Sequence, residues 1–204
     1  MSPSHVVEPT YASIKLKLLS GTWRGGERLE AHRLAGELGV SITPVRDSLN
    51  RLVGERLVEQ RPGDGFHVVR LNEQDLRDLL DFSWAVLRLA VRKSAAVPGL
   101  SPEQDATDRV AQLAAMFRHL AATSENRVLV ETIASLNDRL HMVRMLDPLL
   151  LHDTESELDA LLALCRNGAP SAIWDEALTA FHARRRRLAS RYVALLDRGL
   201  RPPP

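Results

Sequence analysis

Glu37-Leu38-Gly39-Val40-Ser41-Ile42-Thr43-Pro44-Val45-Arg46-Asp47-Ser48-Leu49 is the stretch on which the fold turns. Just upstream, the run from Ala31 to Leu38 has the composition of a short helix, and Gly39 stops it. Ser41 then offers an N-terminal cap, and a second helix is expected from Ser41 to Leu52. Two short helices joined by a glycine-containing turn are a helix-turn-helix. In that arrangement Val40, Val45, Leu49 and Leu52 pack inward, and Thr43, Arg46 and Asn50 point away.

The flanks extend the motif. Tyr11 to Leu19 reads as an amphipathic helix whose apolar contacts come from Ile14, Leu16, Leu18 and Leu19, before Gly21 and Gly25-Gly26 break the chain. After Gly54, Leu57-Val58-Glu59-Gln60 and Phe66-His67-Val68-Val69 are strand-like runs around Arg61-Pro62-Gly63-Asp64-Gly65. That is a hairpin with a glycine-rich tip, a wing. The chemistry suits DNA. A helix N-terminus offers free amides and partial positive charge to a phosphate. An arginine one turn into that helix reaches the O6 and N7 acceptors of guanine in the major groove. Small residues at the wing tip let the backbone approach the sugar-phosphate chain.

From Asn72 onward the pattern is helical. Asn72-Glu73-Gln74-Asp75 caps a helix with Leu76, Leu79, Leu80, Trp84, Leu87 and Val91 on one face, and Pro98-Gly99 ends it. Ser101-Pro102-Glu103-Gln104 starts a helix buried through Val110, Leu113, Phe117 and Leu120. A third is expected from Ser124, using Leu129, Ile133, Leu136 and Leu140 and stopping before Asp147-Pro148. Thr154 with Glu157 forms a capping box, and Asn167-Gly168 a stop. The last helix should run from Ser171 to Leu196 with Trp174, Leu178, Phe181, Leu188, Tyr192 and Leu195 inside, Gly199 ending it before a frayed tail from Arg201 to Pro204. The expected fold class is mainly α: a winged helix-turn-helix over residues 1–71, then an all-α effector-binding and dimerisation bundle over 72–204.

Bulk composition narrows the function. Lys and Arg total 27 against 26 Asp and Glu, a net charge of +1, so any DNA contact must come from local placement of charge. The single cysteine, Cys165, excludes an internal disulfide and a thiolate zinc cluster, and fits a reducing cytosol. No stretch approaches the roughly 20 apolar residues of a membrane helix, and no signal core follows the N-terminus. A soluble, cytoplasmic protein is expected. A nucleophile elbow, a phosphate-cradling glycine loop and a His-Glu-x-x-His zinc motif are all missing, which argues against an enzyme.

The run from Glu37 to Leu49, followed by Arg51-Leu52, Gly54 and Gly65, resembles the DNA-binding domain of GntR-family regulators, as does Leu19-Ser20-Gly21-Thr22-Trp23-Arg24-Gly25-Gly26-Glu27-Arg28-Leu29. The resemblance implies that Thr43-Pro44-Val45-Arg46 opens the recognition helix and that Arg46 touches bases. It also implies that Ser41, Thr43, Gly63 and Gly65 contact the DNA backbone. Ile42 departs from the arginine common there, and His32, beside Arg33, stands where the family often has a basic residue. With Asn50 and Arg61 these residues form the expected DNA-binding set.

The region from Asn72 resembles the FCD effector domain of the FadR-type branch, which implies a dimerising bundle around a small-molecule pocket. Many such domains hold a divalent metal through Asp or Asn, a His four residues later, and two further histidines. Asn137, His141 and His182 match three of those positions, a donor set suited to zinc, nickel or manganese. The middle histidine is missing, since Glu155-Ser156-Glu157-Leu158 offers only carboxylates. Ser83 and Arg88 stand where an arginine and a glutamate are common, so the expected effector set is Ser83, Arg88, Asn137, His141 and His182. The alternative is two ordinary histidines, one in the core and one on the surface.

Arg184 to Arg187 form a solvated or dimer-bridging face, or else meet a ligand carboxylate. Trp84 and Trp174 are expected in the core, and Cys165 as a small buried hydrophobe or a thiol sensor. The whole reads as a ligand-controlled DNA-binding regulator, a repressor working as a homodimer on a pseudo-palindromic operator. The alternative is a regulator whose C-terminal domain only dimerises or recruits a partner.

Overall fold

The first helix, α1 (Ser4–Leu19), packs along the helix that follows the glycine turn, and the reason lies in its spacing: Tyr11, Ile14 and Leu18 fall on one face and are buried. Leu16 is 70% exposed, contrary to expectation, because it lies two residues from both Ile14 and Leu18 and so faces the opposite side. The computed structural model describes residues 4–93 and 108–199. The Pro98-Gly99 stop, the Ser101-Pro102-Glu103-Gln104 start and the tail from Arg201 to Pro204 lie outside them.

One compact unit takes in the chain up to Leu71 together with the segment from Leu196. After α1 come β1 (Arg28–Leu29), α2 (Ala31–Leu38), α3 (Ile42–Gly54), β2 (Val58–Arg61) and β3 (Gly65–Val68). Gly39 takes a left-handed φ of 66° after α2, and Val40 N–H donates back to the Ala35 carbonyl at 3.1 Å, closing the helix in a Schellman-like turn. That turn redirects the chain into α3, whose Val45, Leu49 and Leu52 are fully buried. The hairpin β2–β3 pairs Val58 with Val68 and Arg61 with Gly65. On the other side of β3 lies β1, giving an antiparallel sheet of order β1-β3-β2. Two residues are too few to show a strand period, so the sequence reading missed β1. Glu55, just past α3, accepts hydrogen bonds from Tyr11 Oη at 2.7 Å and Lys15 Nζ at 2.8 Å, fastening α1 to α3.

The other unit runs Asn72–Leu195. It opens with α4 (Glu73–Lys93), α5 (Arg109–Ala122) and α6 (Arg127–Arg139), followed by the short α7 (His141–Met145) and α8 (Asp147–Leu150). Then come α9 (Thr154–Arg166), α10 (Ser171–Arg187) and α11 (Ala189–Asp197). Asn72 Oδ1 accepts from Asp75 N–H at 2.9 Å, and Asp75 Oδ2 accepts from Asn72 N–H at 3.0 Å, the expected reciprocal cap. Four expectations need correction. The third helix breaks at Leu140, and helix resumes beyond, with Pro148 in the first turn of α8, where its missing N–H costs nothing. The last helix breaks at Leu188. Thr154 is the first residue of α9 rather than its cap. Trp84 is only half-buried, donating its indole N–H to Thr179 Oγ1 at 3.0 Å, while Ser83 and Val86 take the buried positions.

The arginine run is divided by the helical period. Arg185 is 2% exposed: its Nε and Nη2 donate to Asp147 Oδ2 at 2.9 and 2.6 Å, and Nη2 also to Glu157 at 2.7 Å. Tyr192 Oη donates to the other Asp147 oxygen at 2.5 Å. Arg184 pairs with Glu157 and Asp153, Arg186 with Asp81, and Arg187 is exposed. A solvated face thus fails for Arg185, because consecutive helical residues point about 100° apart and one of four must meet the core. Asp147→Ala leaves the buried Arg185 charge to Glu157 alone and takes the partner from Tyr192, and should cost about 3 kcal/mol in urea unfolding, with Arg185→Met added recovering part of it.

Candidate functional site

At the start of α3, Ser41 has extended backbone angles and its hydroxyl makes no capping bond, so the first-turn amides stay open. Thr43, Arg46 and Asn50 are exposed, and Pro44, Val45, Ser48 and Leu49 are buried beneath them. Ser48 Oγ donates to the Pro44 carbonyl at 2.7 Å, which keeps a polar residue on the inner face satisfied. Among the described residues Arg46 engages no hydrogen bond or ion pair, so its whole guanidinium is available.

Several other basic groups on this unit are held by the chain's own acids. Arg33 pairs with Glu37 at 2.9 Å, Arg61 with Glu59 at 2.6 Å, and Arg51 with Glu8 at 2.8 Å, its guanidinium stacked 3.6 Å above the Tyr11 ring. His32 is exposed on α2. At the wing tip Gly63 and Gly65 have φ of 75° and 85°, conformations that L side chains rarely adopt. Two residues bear on the tip that sequence reasoning did not single out. Arg28, on β1, lies 3.7 Å from Asp64, and His67 is buried with Nε2 3.0 Å from the same carboxylate and Nδ1 3.2 Å from the Gly26 carbonyl. The only trace of Arg28 in the sequence was its place in the segment leading to α2.

In the helical unit the five candidate effector residues divide. Arg88 is paired with Asp175, its Nη2 2.7 Å from Oδ2, and lies over the Trp84 ring. His182 Nδ1–H donates to the Leu178 carbonyl at 2.8 Å, which leaves Nε2 to accept from Ser83 Oγ at 3.2 Å. Burial drives the His182 pKa down to about 3, with the nearby Arg144 and Arg185 charges adding to the drop. Asn137 is buried, its Nδ2 donating to the Ala114 carbonyl at 2.9 Å and its Oδ1 accepting from Arg144 Nη1 at 2.7 Å. His141, after the break at Leu140, starts α7, so the shared helix face expected for it and Asn137 is interrupted.

These residues do not fit a divalent metal. The Asn137 oxygen is occupied by a guanidinium, the free His182 lone pair by a hydroxyl, and two buried arginines stand close by. Among the described residues no three His, Cys, Asp or Glu side chains gather to hold an ion.

A cavity of about 240 Å³ lies elsewhere in the same unit, walled by Val110, Leu113, Met145 and Phe181 with Arg144 and Arg185. None of Ser83, Arg88, Asn137, His141 and His182 lines it. Arg144 was missed; an arginine set between Val143 and Met145 in the largely apolar run from Leu140 to Leu151 was the available signal. Cys165 is buried and its thiol is pushed up to about 11, chiefly by that burial, which makes it a poor nucleophile.

The fold and the free face of α3 define a winged helix-turn-helix DNA-binding protein. A family model described as bacterial regulatory proteins, gntR family, matches residues 7–68. The Nta operon transcriptional regulator of Aminobacter aminovorans is 29% identical over 159 residues, which is 69% of this chain and 76% of that protein. The Escherichia coli regulator McbR is 33% identical over 90 residues, 44% of this chain and 40% of its own. Among solved structures, a GntR-type regulator from Rhodococcus superposes with a TM-score of 0.60 at 20% identity, over 88% of this chain and 96% of that one. McbR/YncC gives 0.58 at 20% identity, over 89% and 97%. These two structures speak to the fold alone. Residues 7–68 are thus a GntR-family helix-turn-helix domain, and the chain is a DNA-binding transcriptional regulator rather than an enzyme.

The buried His182 makes stability depend on pH. Unfolded, it takes a proton below its ordinary pKa of 6.5; folded, only near 3, so stability is full above 6.5 and is lost as pH falls between those values. The expected slope is about 1.4 kcal/mol per pH unit from this group. Urea midpoints of His182→Gln measured from neutral to pH 4 should fall less steeply than wild type by that share.

Proposed function

We propose that the protein is a repressor that binds a pseudo-palindromic operator as a homodimer in the bacterial cytoplasm and is controlled by a small molecule bound in its helical unit. The observation that carries the DNA half is Arg46, exposed and unpaired among the described residues, one turn into α3 behind an open helix N-terminus. An arginine so placed can take guanine O6 and N7 in the major groove, while the first-turn amides of α3 take a phosphate. In a dimer two such helices would lie about 34 Å apart, one turn of DNA. The wing glycines would follow the adjoining backbone.

Control by an effector is supported by the cavity among α5, α7, α9 and α10. For a ligand there to release DNA, it must bind the released arrangement more tightly than the DNA-bound one.

A gel shift on the DNA upstream of the protein's own coding sequence tests the reading. Arg46→Ala should weaken specific binding by about 1–3 kcal/mol, roughly ten- to a hundredfold, with an unchanged helical spectrum. Arg61→Ala should weaken binding to all sequences alike and lower the salt slope by about 1. Equal binding by wild type and Arg46→Ala would remove the assignment.

A further inference from the structure

His67 is 5% exposed, although its neighbour Phe66 takes the core side of β3 and so turns the imidazole to the outer face of the sheet. Both ring nitrogens face oxygen. Nδ1 lies 3.2 Å from the Gly26 carbonyl, and Nε2 lies 3.3 Å from the Asp64 carbonyl and 3.0 Å from its carboxylate. A neutral imidazole carries one N–H, so in either tautomer the other nitrogen turns a lone pair on an acceptor. Only the imidazolium donates at both. Burial makes a mismatched polar atom costly, so this pocket is shaped for the protonated ring.

The charged groups around the ring leave Asp64 as its counter-ion. On β1, Arg28 is the cross-strand partner of His67, with Nη1 3.7 Å from the Asp64 carboxylate. On β2 the partner is Glu59, whose carboxylate accepts from Arg61 Nε and Nη2 at 2.9 and 2.6 Å. Glu27, beside Gly26, accepts from the Arg24 N–H, and Arg70, lying against Gly25 and Gly26, donates to Asp197. The two junctions of the ring differ in stiffness. The Gly26 peptide is held by the sheet, its N–H donating to the Val68 carbonyl at 2.8 Å while Val68 N–H donates to Glu27 at 2.9 Å. The Asp64 side chain stands half-exposed at the tip between Gly63 and Gly65, so it is the one that lets go when the proton leaves.

We propose that His67 is a positioning residue of the wing: its imidazolium draws the Asp64 carboxylate back against the sheet, and binding of a DNA duplex takes up a proton there. With the proton on, His67 answers Asp64. The Arg28 guanidinium, which runs past the bare Gly65 backbone, is then left for a phosphate. With the proton off, the tip loses a positive charge and Asp64 is free to claim Arg28 or to face the phosphates. Histidine charge changes between about pH 5 and 8, so the step falls where cells live. By linkage, a phosphate at the tip favours the proton as much as the proton favours the phosphate. The proposal rests on the reading that the wing follows the DNA backbone, and adds a proton to that contact.

The test is calorimetric titration of the full chain with the duplex from upstream of its own coding sequence, from about pH 6 to 8. Heats in buffers of different ionisation enthalpy give the protons taken up. His32 is present in every protein compared, so differences between them report on His67 and Asp64. The wild type should take up more protons than His67→Gln, and its affinity should fall roughly tenfold more with rising pH, the worth of one charge-assisted contact. Asp64→Asn should lose that part of the pH dependence and bind at pH 8 as the wild type does at pH 6. His67→Gln should bind weakly across the range, and adding Asp64→Asn should restore it, a rescue that a merely structural histidine would not give. Equal proton uptake by wild type and His67→Gln, an unchanged pH slope in Asp64→Asn, or no rescue overturns the proposal. Asp64→Asn alters an exposed side chain, so that arm decides the matter even if His67→Gln fails to fold. In the free protein, NMR signals of the His67 ring and the Asp64 amide should move through one shared pH transition, and independent transitions would overturn the positioning. Absence of duplex binding at every pH, with that shared transition present, would instead remove the DNA reading and the proton uptake while keeping the positioning.

Discussion

Val45, Leu49 and Leu52 are fully buried, and because an α-helix repeats every 3.6 residues their burial dictates where the intervening side chains of α3 point. Thr43, Arg46 and Asn50 are outward because the inner face has no room for them. The packing partner is α1, held by the Glu55 bonds to Tyr11 and Lys15. Burial alone would raise the Glu55 carboxyl pKa, yet the Lys15 and Tyr11 hydrogen bonds and the Lys15 and Arg51 charges bring it below the ordinary value, so the fastening is ionised at neutral pH. The recognition surface is therefore a by-product of a hydrophobic contact. Its orientation is fixed before any DNA arrives, and little ordering entropy remains to be lost on binding.

How much of this could be read from residues alone depended on the range of the interaction. Gly39 and the apolar positions of α3 act within one turn of helix, and the helix-turn-helix followed from them directly. The β2–β3 hairpin was equally local. The two-residue β1 was invisible because its only reason to be extended is a partner, β3, that lies far along the chain. The breaks at Leu140 and Leu188 escaped for a related cause: neither carries a glycine or proline, and the apolar period runs through both without interruption. The histidines misled in a different way. Asn137 and His141 have the spacing of a shared helix face, but that inference assumed one unbroken helix, and Leu140 ends it.

The arginines of the helical unit show why sequence gives charge but not its environment. Arg185 and Arg144 both enter the core. The first meets Asp147, Glu157 and the Phe181 carbonyl, so nearly every donor is used. The second meets an amide oxygen and an aromatic ring. A run of basic residues reads as a wet surface because that is its commonest fate, and only the three-dimensional placement of acids from α8 and α9 reverses the reading. His182 follows the same rule: neutral, hydrogen-bonded at both ring nitrogens and stacked against Phe117, it serves the packing of α10 against α4.

The pairing of Arg33 with Glu37, Arg61 with Glu59 and Arg28 with Asp64 has a consequence for any contact of these side chains with a phosphate. Each acid is an internal mimic of a phosphate, competing for the same guanidinium that would otherwise grip any passing duplex. Each such pair must open before its arginine can reach a phosphate, whereas Arg46 has no carboxylate to leave.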